Sequence, residues 1–251
     1  MYDIIGSREK AVAIIEKGDR KFAEEIMRKH KNVKSVLKKL SQRKGEYRIY
    51  ELKILLGDEN TEVVHKEHGI RLKLDPKKVY FSPREATERQ RIASQVKEGE
   101  TVLVMFSGIM PFGIAIAKKV RAKVYGIELN PEAHRYALEN ARINKVSDRV
   151  VPLLGRVEDL AKNFFGKCDR VIMPLPFGSE HFLKHGLLCL KKRGMLHFYS
   201  RGTEENPFDD AGKILEKECL QLGKKFRVLG RRKVQMYAPR RWKVCLDVEV
   251  G

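Results

Sequence analysis

From residue 101 onward, short apolar runs alternate with segments of helical spacing. Residues 101–106 form an apolar run of the length of a buried parallel strand. Ser107-Gly108-Ile109-Met110-Pro111 reads as a tight turn. Pro111 and Gly113 then open a segment with Ile114, Ile116, Ala117 and Val120 at helical spacing. Residues 123–129 are strand-like again, and residues 132–144 place Ala133, Tyr136, Ala137 and Ala141 on one helical face. The pattern predicts further strands at 150–154, 168–173 and 194–200, helices at 157–163, 180–190 and 211–222, and a closing antiparallel pair at 225–234 and 243–250. Strands alternating with helices predict an α/β fold, a mostly parallel sheet covered on both faces.

Residues 1–75 have a different texture and read as a small α+β domain. Strand material lies at 2–5, 11–15 and 33–40, and an amphipathic helix at 20–31 buries Phe22, Ile26 and Met27. The alternating run 45–57 is expected to pair with the alternating run 61–74 across a turn at 57–60. Asp75-Pro76 marks the boundary to the second domain, 76–251. Ser82-Pro83 starts a helix from about residue 84 to 96, on which Arg84 and Glu88 share a face.

Composition adds a partner. At 42% hydrophobic and 34% charged residues the chain has the balance of a globular protein rich in charge. Lys and Arg number 52 against 33 Asp and Glu, a net charge of +19. Such an excess points to a polyanion, because phosphate contacts release condensed counterions. There is no basic amphipathic helix with aromatic anchors, so nucleic acid ranks above a membrane surface. The basic stretch 227–241, with Tyr237 and then Trp242 interleaved, reads as an RNA-backbone contact or as a basic edge strand. No apolar run reaches the roughly 18 residues of a membrane span, the first residues lack a signal-peptide pattern, and a cytoplasmic location is expected. Cys168, Cys189, Cys219 and Cys245 form no C-x-x-C pair and read as buried thiols. His134, His181, His185 and His197 show no ligand spacing, so no metal is expected.

The chemistry concentrates at strand ends, where open α/β sheets bind ligands. Strand, turn, helix and strand over residues 101–131 end in Glu128-Leu129-Asn130-Pro131, a layout that suits an adenosine cofactor: backbone approaches at the turn, and the acid accepts from the ribose hydroxyls. A dinucleotide would need G-x-G-x-x-G, but Met110 replaces the middle glycine between Gly108 and Gly113. S-adenosylmethionine, which carries no phosphate, suits the turn better. An ordinary strand–turn–helix with Glu128 on the surface is the other reading. The remaining strand ends are Gly155 to Asp159 and Pro174-Leu175-Pro176, the latter a stiff backbone against which a planar ring can lie.

Four segments together carry a family resemblance: Y-F-S-P-R-x-x-T-E-R at 80–89, M-F-S-G-x-x-P-F-G at 105–113, G-I-E-L-N-P at 126–131 and V-I-M-P-L-P at 171–176. The chain resembles the archaeal and eukaryal tRNA (guanine-37 N1)-methyltransferases, and the relatives that transfer an aminocarboxypropyl group from the same cofactor in wybutosine synthesis. The resemblance implies a class I, Rossmann-like S-adenosyl-L-methionine-dependent methyltransferase, acting as a monomer on the tRNA anticodon loop, without a membrane. The additional small N-terminal domain of many members is not expected here. At matching positions Glu88 is implied as the general base that removes the proton from guanine N1, and Arg48 as the cation that stabilises charge developing on O6. Tyr80 and Arg84 are implied in the same pocket, and Arg84, Phe106, Ser107, Gly108, Glu128, Leu129, Glu158, Pro174, Leu175 and Pro176 at the cofactor. The sequence departs from the family at Val104, where Asp is common, at Pro174, where Asn is expected, and at Arg156, where an acid is expected and Glu158 or Asp159 substitutes. Two rival readings are aminocarboxypropyl transfer and a tRNA-binding protein with a decayed cofactor site.

Overall fold

The computed structural model describes residues 2–41 and 45–251. Strands β1 (Tyr2–Gly6), β2 (Ala11–Ile15), β3 (Val33–Lys39) and β4 (Leu52–Gly57) make a four-stranded sheet in that order, with α1 (Arg20–Lys29) between β2 and β3. Asp19 caps α1 by accepting from the Phe22 N–H. Strand β2 is buried on both faces. Ala11, Ala13 and Ile15 pack with Ala23 and Ile26 of α1, while Val12 and Ile14 join the core of the larger sheet. The expected pairing of 45–57 with 61–74 does not form. Strand β4 starts only at Leu52 and pairs with β3, and residues 45–48 are a turn. Strands β5 (Val63–Glu67) and β6 (Ile70–Leu74) instead make their own hairpin about His68 and Gly69, both at positive φ, as a two-residue turn requires.

The second half carries α2 (Ala86–Ala93), β7 (Thr101–Met105), α3 (Pro111–Lys119), β8 (Lys123–Glu128), α4 (Pro131–Ile143), β9 (Val150–Leu154), α5 (Val157–Leu160), β10 (Cys168–Met173), α6 (Leu183–Cys189), β11 (Leu190–Thr203), α7 (Asp209–Gln221), β12 (Phe226–Ala238) and β13 (Arg241–Val250). Seven of these strands form one sheet in the order β12-β13-β11-β10-β7-β8-β9. Strands β7 to β11 run parallel, and β13 and β12 are antiparallel additions at one edge. Side chains of α2, α3 and α4 pack on one face, and those of α5, α6 and α7 on the other. The strand order reverses direction between β7 and β10, which opens a crevice at their carboxyl ends.

The hairpin is fastened to this unit by two asparagines one turn apart, Asn140 on α4 and Asn144 at its C-terminal cap. Asn140 accepts the Lys73 N–H at 2.7 Å and donates to the Lys73 carbonyl at 3.1 Å; Asn144 does the same with Arg71 at 2.9 and 2.6 Å. Their carboxamides complete an edge that would otherwise be left unpaired. Arg89 of α2 ties the other side, donating twice to Glu67 at 2.6 and 2.5 Å. All four cysteines are free and buried. Among the described residues no helix is long and apolar enough to cross a membrane.

Met110 explains the altered glycine pattern. It adopts φ 69°, the conformation a glycine would supply. Its buried thioether fills the space over two glycines: a Cβ at residue 126 would lie 2.2 Å from the Met110 sulfur, and one at residue 113 would lie 2.7 Å from its methyl. Gly126→Ala should therefore lower stability by roughly 1–3 kcal/mol through overpacking, read from urea unfolding, and Met110→Ala added to it should recover part of the loss.

A buried polar network joins α2 to the antiparallel strands. Arg91 donates to both oxygens of Glu88 at 2.8 Å and also to Asp247, and the Tyr199 hydroxyl donates to Glu88 at 2.5 Å. His197 lies between Asp247, 2.7 Å from Nδ1, and Arg170, 2.7 Å from Nε2. A guanidinium can only donate, so Nε2 is the acceptor and Nδ1 carries the proton. Burial pushes the His197 pKa down. Burial alone would raise Asp247, but hydrogen bonds from His197 and Arg91 hold it well below the ordinary carboxylate range. Both depressed values act in one direction: the unfolded chain binds the extra proton, so stability is lost as pH falls. Below pH of about 6.5 the His197 contribution should decline by up to about 1.4 kcal/mol per pH unit, and that of Asp247 below about 4. Urea unfolding at pH 7.5 and 5.5 checks this: His197→Gln should show the smaller difference between the two.

Candidate active site

The β7–α3 turn is built from left-handed residues: Phe106 at φ 56°, Gly108 at 55° and Met110 at 69°. Such a bend is costly for a phenylalanine, and its cost is offset by bonds to the next strand end. The Ser107 N–H donates to the Ile127 carbonyl at 2.9 Å. Glu128 accepts the Gly108 N–H at 2.7 Å and the Asn130 N–H at 2.8 Å, so a single carboxylate joins the ends of β7 and β8. Burial raises the Glu128 pKa, against the pull of those two N–H groups. Asn130 caps α4 by accepting the Glu132 N–H, and its amide donates to the Lys78 carbonyl at 3.0 Å. The Ser107 hydroxyl is buried and has no hydrogen-bond partner among the described residues.

Two adjoining cavities open at this crevice. The outer cleft, about 340 Å³, is lined by Glu128, Leu129, Asn130, Gly155 and Glu158, with Phe182 among its apolar walls. The inner chamber, about 90 Å³, is lined by Ser107, Phe112, Pro174, Pro176, Glu85 and Lys243 among others. Arg48, Tyr80, Phe106, Gly108 and Leu175 line both. Arg48 itself sits in the 45–48 turn at φ 53°, and its guanidinium reaches the Pro174–Gly178 segment: a Cβ at Gly178 would lie 3.1 Å from Nη2.

Most expected residues thus converge: Arg48, Tyr80, Phe106, Ser107, Gly108, Glu128, Leu129, Glu158, Pro174, Leu175 and Pro176 all line this pair of cavities. Two do not. Arg84 lines a separate groove between the small sheet and β12, where it pairs with Asp3 at 2.5 Å. Glu88 lines neither cavity, because its carboxylate faces inward to Arg91 and Tyr199. Of the two acids weighed after β9, Glu158 reaches the cleft, 3.6 Å from Arg156, which also pairs with Glu46 at the cleft mouth.

The chamber also holds residues the sequence did not single out. Glu85 ends the single 3₁₀ turn Pro83–Glu85 before α2 and accepts from Lys243 at 2.8 Å, both nearly inaccessible at 5% and 6% exposure. Lys243 also lies 4.9 Å from the Tyr199 ring centre. Nothing in the spacing of E-A-T-E-R separates Glu85 from Glu88, and only the helix start decides which carboxylate faces the chamber. His197, Cys245 and Asp247 bring three possible metal ligands together. Arg170 and Arg91 already hold the imidazole and the carboxylate, and two cations at that spot oppose a third.

A family model describing the TRM5/TYW2 methyltransferase domain matches residues 63–229. The tRNA (guanine(37)-N(1))-methyltransferase Trm5b of Pyrococcus abyssi is 42% identical over 256 residues, which cover 100% of this chain and 74% of that protein. A solved complex of aTrm5 and tRNALeu superposes with a TM-score of 0.87 at 34% identity, covering 100% of this chain and 72% of that one. The structure of Methanocaldococcus jannaschii TYW2 in complex with AdoMet superposes with a TM-score of 0.78 at 31% identity, covering 100% of this chain and 99% of that one. With its strand order, its cofactor-type turn and these likenesses, the chain belongs to the TRM5/TYW2 methyltransferase family.

Proposed function

We propose that this protein transfers the methyl group of S-adenosylmethionine to N1 of guanosine 37 in the anticodon loop of tRNA. One observation carries the reading. A cleft walled by Glu128 opens directly into a chamber walled by flat apolar side chains, with Arg48 and Tyr80 at their junction. A donor and a planar acceptor can therefore meet there, shielded from water. The anticodon loop is single-stranded, so its bases can leave the stack and enter such a chamber.

The residues fit the cofactor. Glu128 already holds two backbone N–H groups and keeps acceptor capacity for a ribose diol. Ser107 lines the chamber, with its hydroxyl turned inward beside Gly126. When bound, the sulfonium supplies an activated methyl group, and no metal is needed for it to leave. The protein positions N1, removes its proton and steadies the charge that this leaves on O6. Arg48 suits the last role, since it lines both cavities and carries its guanidinium beside Gly178. We assign the proton to Glu88, the role the resemblance implies. Its carboxylate is held by Arg91 and Tyr199 in the free protein, and to take the proton it exchanges those partners for the bound base. Tyr80, at the junction, orients the acceptor against the donor.

We also place the division between the two units near residues 58–62 rather than at 75–76. The β5–β6 hairpin bonds to α2 and α4, and the family match begins at residue 63.

Nucleoside mass spectrometry of unmodified tRNA incubated with the protein and cofactor should show 1-methylguanosine. With the cofactor labelled separately in its methyl and carboxypropyl groups, only the methyl label should move. Transfer of the carboxypropyl label alone would overturn the reading in favour of the aminocarboxypropyl reaction. Glu128→Ala should abolish cofactor binding in calorimetry, because among the described residues no other side chain bridges Gly108 and Asn130. Glu88→Gln should lower single-turnover methylation by about 10²–10⁴-fold with cofactor affinity unchanged. A retained rate would remove Glu88 from the proton transfer and leave Glu85 as the carboxylate on the chamber wall.

A further inference from the structure

Resting on the RNA-modifying reading, we propose that Tyr237, braced by Phe177, is a stacking platform for a nucleobase adjacent to the target guanosine. Phe177 directly follows Pro176, which lines the inner chamber, and Tyr237 lines the groove that shares Tyr80, Phe81 and Ser82 with that chamber. Tyr237 comes from β12 and meets the Phe177 ring edge-on, with centroids 5.1 Å apart and planes at 75°. The Arg201 guanidinium lies 5.8 Å from the Phe177 ring centre. Phe177 is thereby held by an aromatic and a cation, while Tyr237 is 42% exposed. The edge contact fixes the Tyr237 ring while leaving much of it open to solvent.

The surroundings fit a polyanion. Arg231, Arg232, Arg240 and Arg241 of the β12–β13 ribbon are exposed, and the same ribbon continues through Trp242 to Lys243 in the chamber wall. Ring and cations thus lie on one two-stranded ribbon, and its Lys243 reaches the proposed acceptor site. That combination suits single-stranded nucleic acid: cations follow the backbone, and an aromatic face takes a base whatever its identity. Base flipping supplies the occupant. A target drawn into the chamber leaves its sequence neighbours without a stacking partner on one side. The Tyr237 ring can replace the lost contact.

The test compares tRNA binding by wild type, Tyr237→Ala and Tyr237→Trp, with S-adenosylhomocysteine present. Transcripts are intact or carry an abasic residue at nucleotide 36 or 38. Tyr237→Ala should weaken binding of intact tRNA about tenfold, the scale of one lost base–aromatic stack, and Tyr237→Trp should retain it. One abasic transcript should bind wild type as weakly as intact tRNA binds Tyr237→Ala, and should lose nothing further with that variant. Affinity for S-adenosylhomocysteine should not move, which separates a platform from a damaged active site. The proposal is overturned if Tyr237→Ala stays within about twofold of wild type on intact tRNA, or if it weakens intact and both abasic transcripts by the same factor. Methylation is followed in parallel: an RNA-binding pattern as expected with no methyl transfer by wild type would sink the reaction and leave the platform standing.

Discussion

The Glu128 carboxylate is the contact on which the site depends. One oxygen holds the Gly108 N–H and the other the Asn130 N–H, so the turn after β7 and the end of β8 are set by the same side chain. The turn needs that support, because Phe106 and Met110 adopt left-handed backbone that ordinary side chains avoid. Burial works against the charge on Glu128, and the two N–H donors oppose that effect. A ligand diol would add donors to the same group. The acid therefore serves the fold in the free protein and is positioned to serve the ligand.

A second constraint lies at the antiparallel edge. Six charged or polar groups, Glu88, Arg91, Arg170, His197, Tyr199 and Asp247, are packed among apolar strands and satisfy one another. Removing one member would leave another buried and unpaired, which costs more than the intact network contributes. This explains why α2 stands so firmly on the sheet, and why Glu85 and Lys243, one turn away and on the neighbouring strand, can face the chamber as a closed pair. The chamber thus has rigid polar corners and flat apolar sides. Its floor, Pro174-Leu175-Pro176, contributes shape and no side-chain donor.

Much of the architecture was legible beforehand. The strand at 101–105 falls where its apolar run lies, and the helices at 111–119 and 131–143 begin at the prolines that announce them. These elements are local: a buried parallel strand must be apolar throughout, and a covering helix must repeat its apolar face every three to four residues. The run 61–74 failed for the complementary reason. Alternation shows that a segment is a strand but does not name its partner, and here asparagines at the end of α4, some 67 residues away in sequence, complete the edge. The resemblance placed Arg48, Tyr80 and the cofactor turn at one site, and the structure brings them to one pair of cavities.

Periodicity and turn chemistry were enough to establish an α/β chain with an acid at the end of its second parallel strand, and net charge was enough to point to a nucleic-acid partner, because both follow from short stretches or from totals. Which carboxylate of E-A-T-E-R looks into the chamber was settled only in three dimensions. It turns on where a single 3₁₀ turn gives way to α2, a difference of one residue in register that rotates a side chain by about 100°. Arg84 was likewise drawn to Asp3 and away from the pair of cavities, and Lys243 was brought from the last strand to Glu85. Contacts across such distances in the chain depend on how the sheets pack, and no local pattern encodes them.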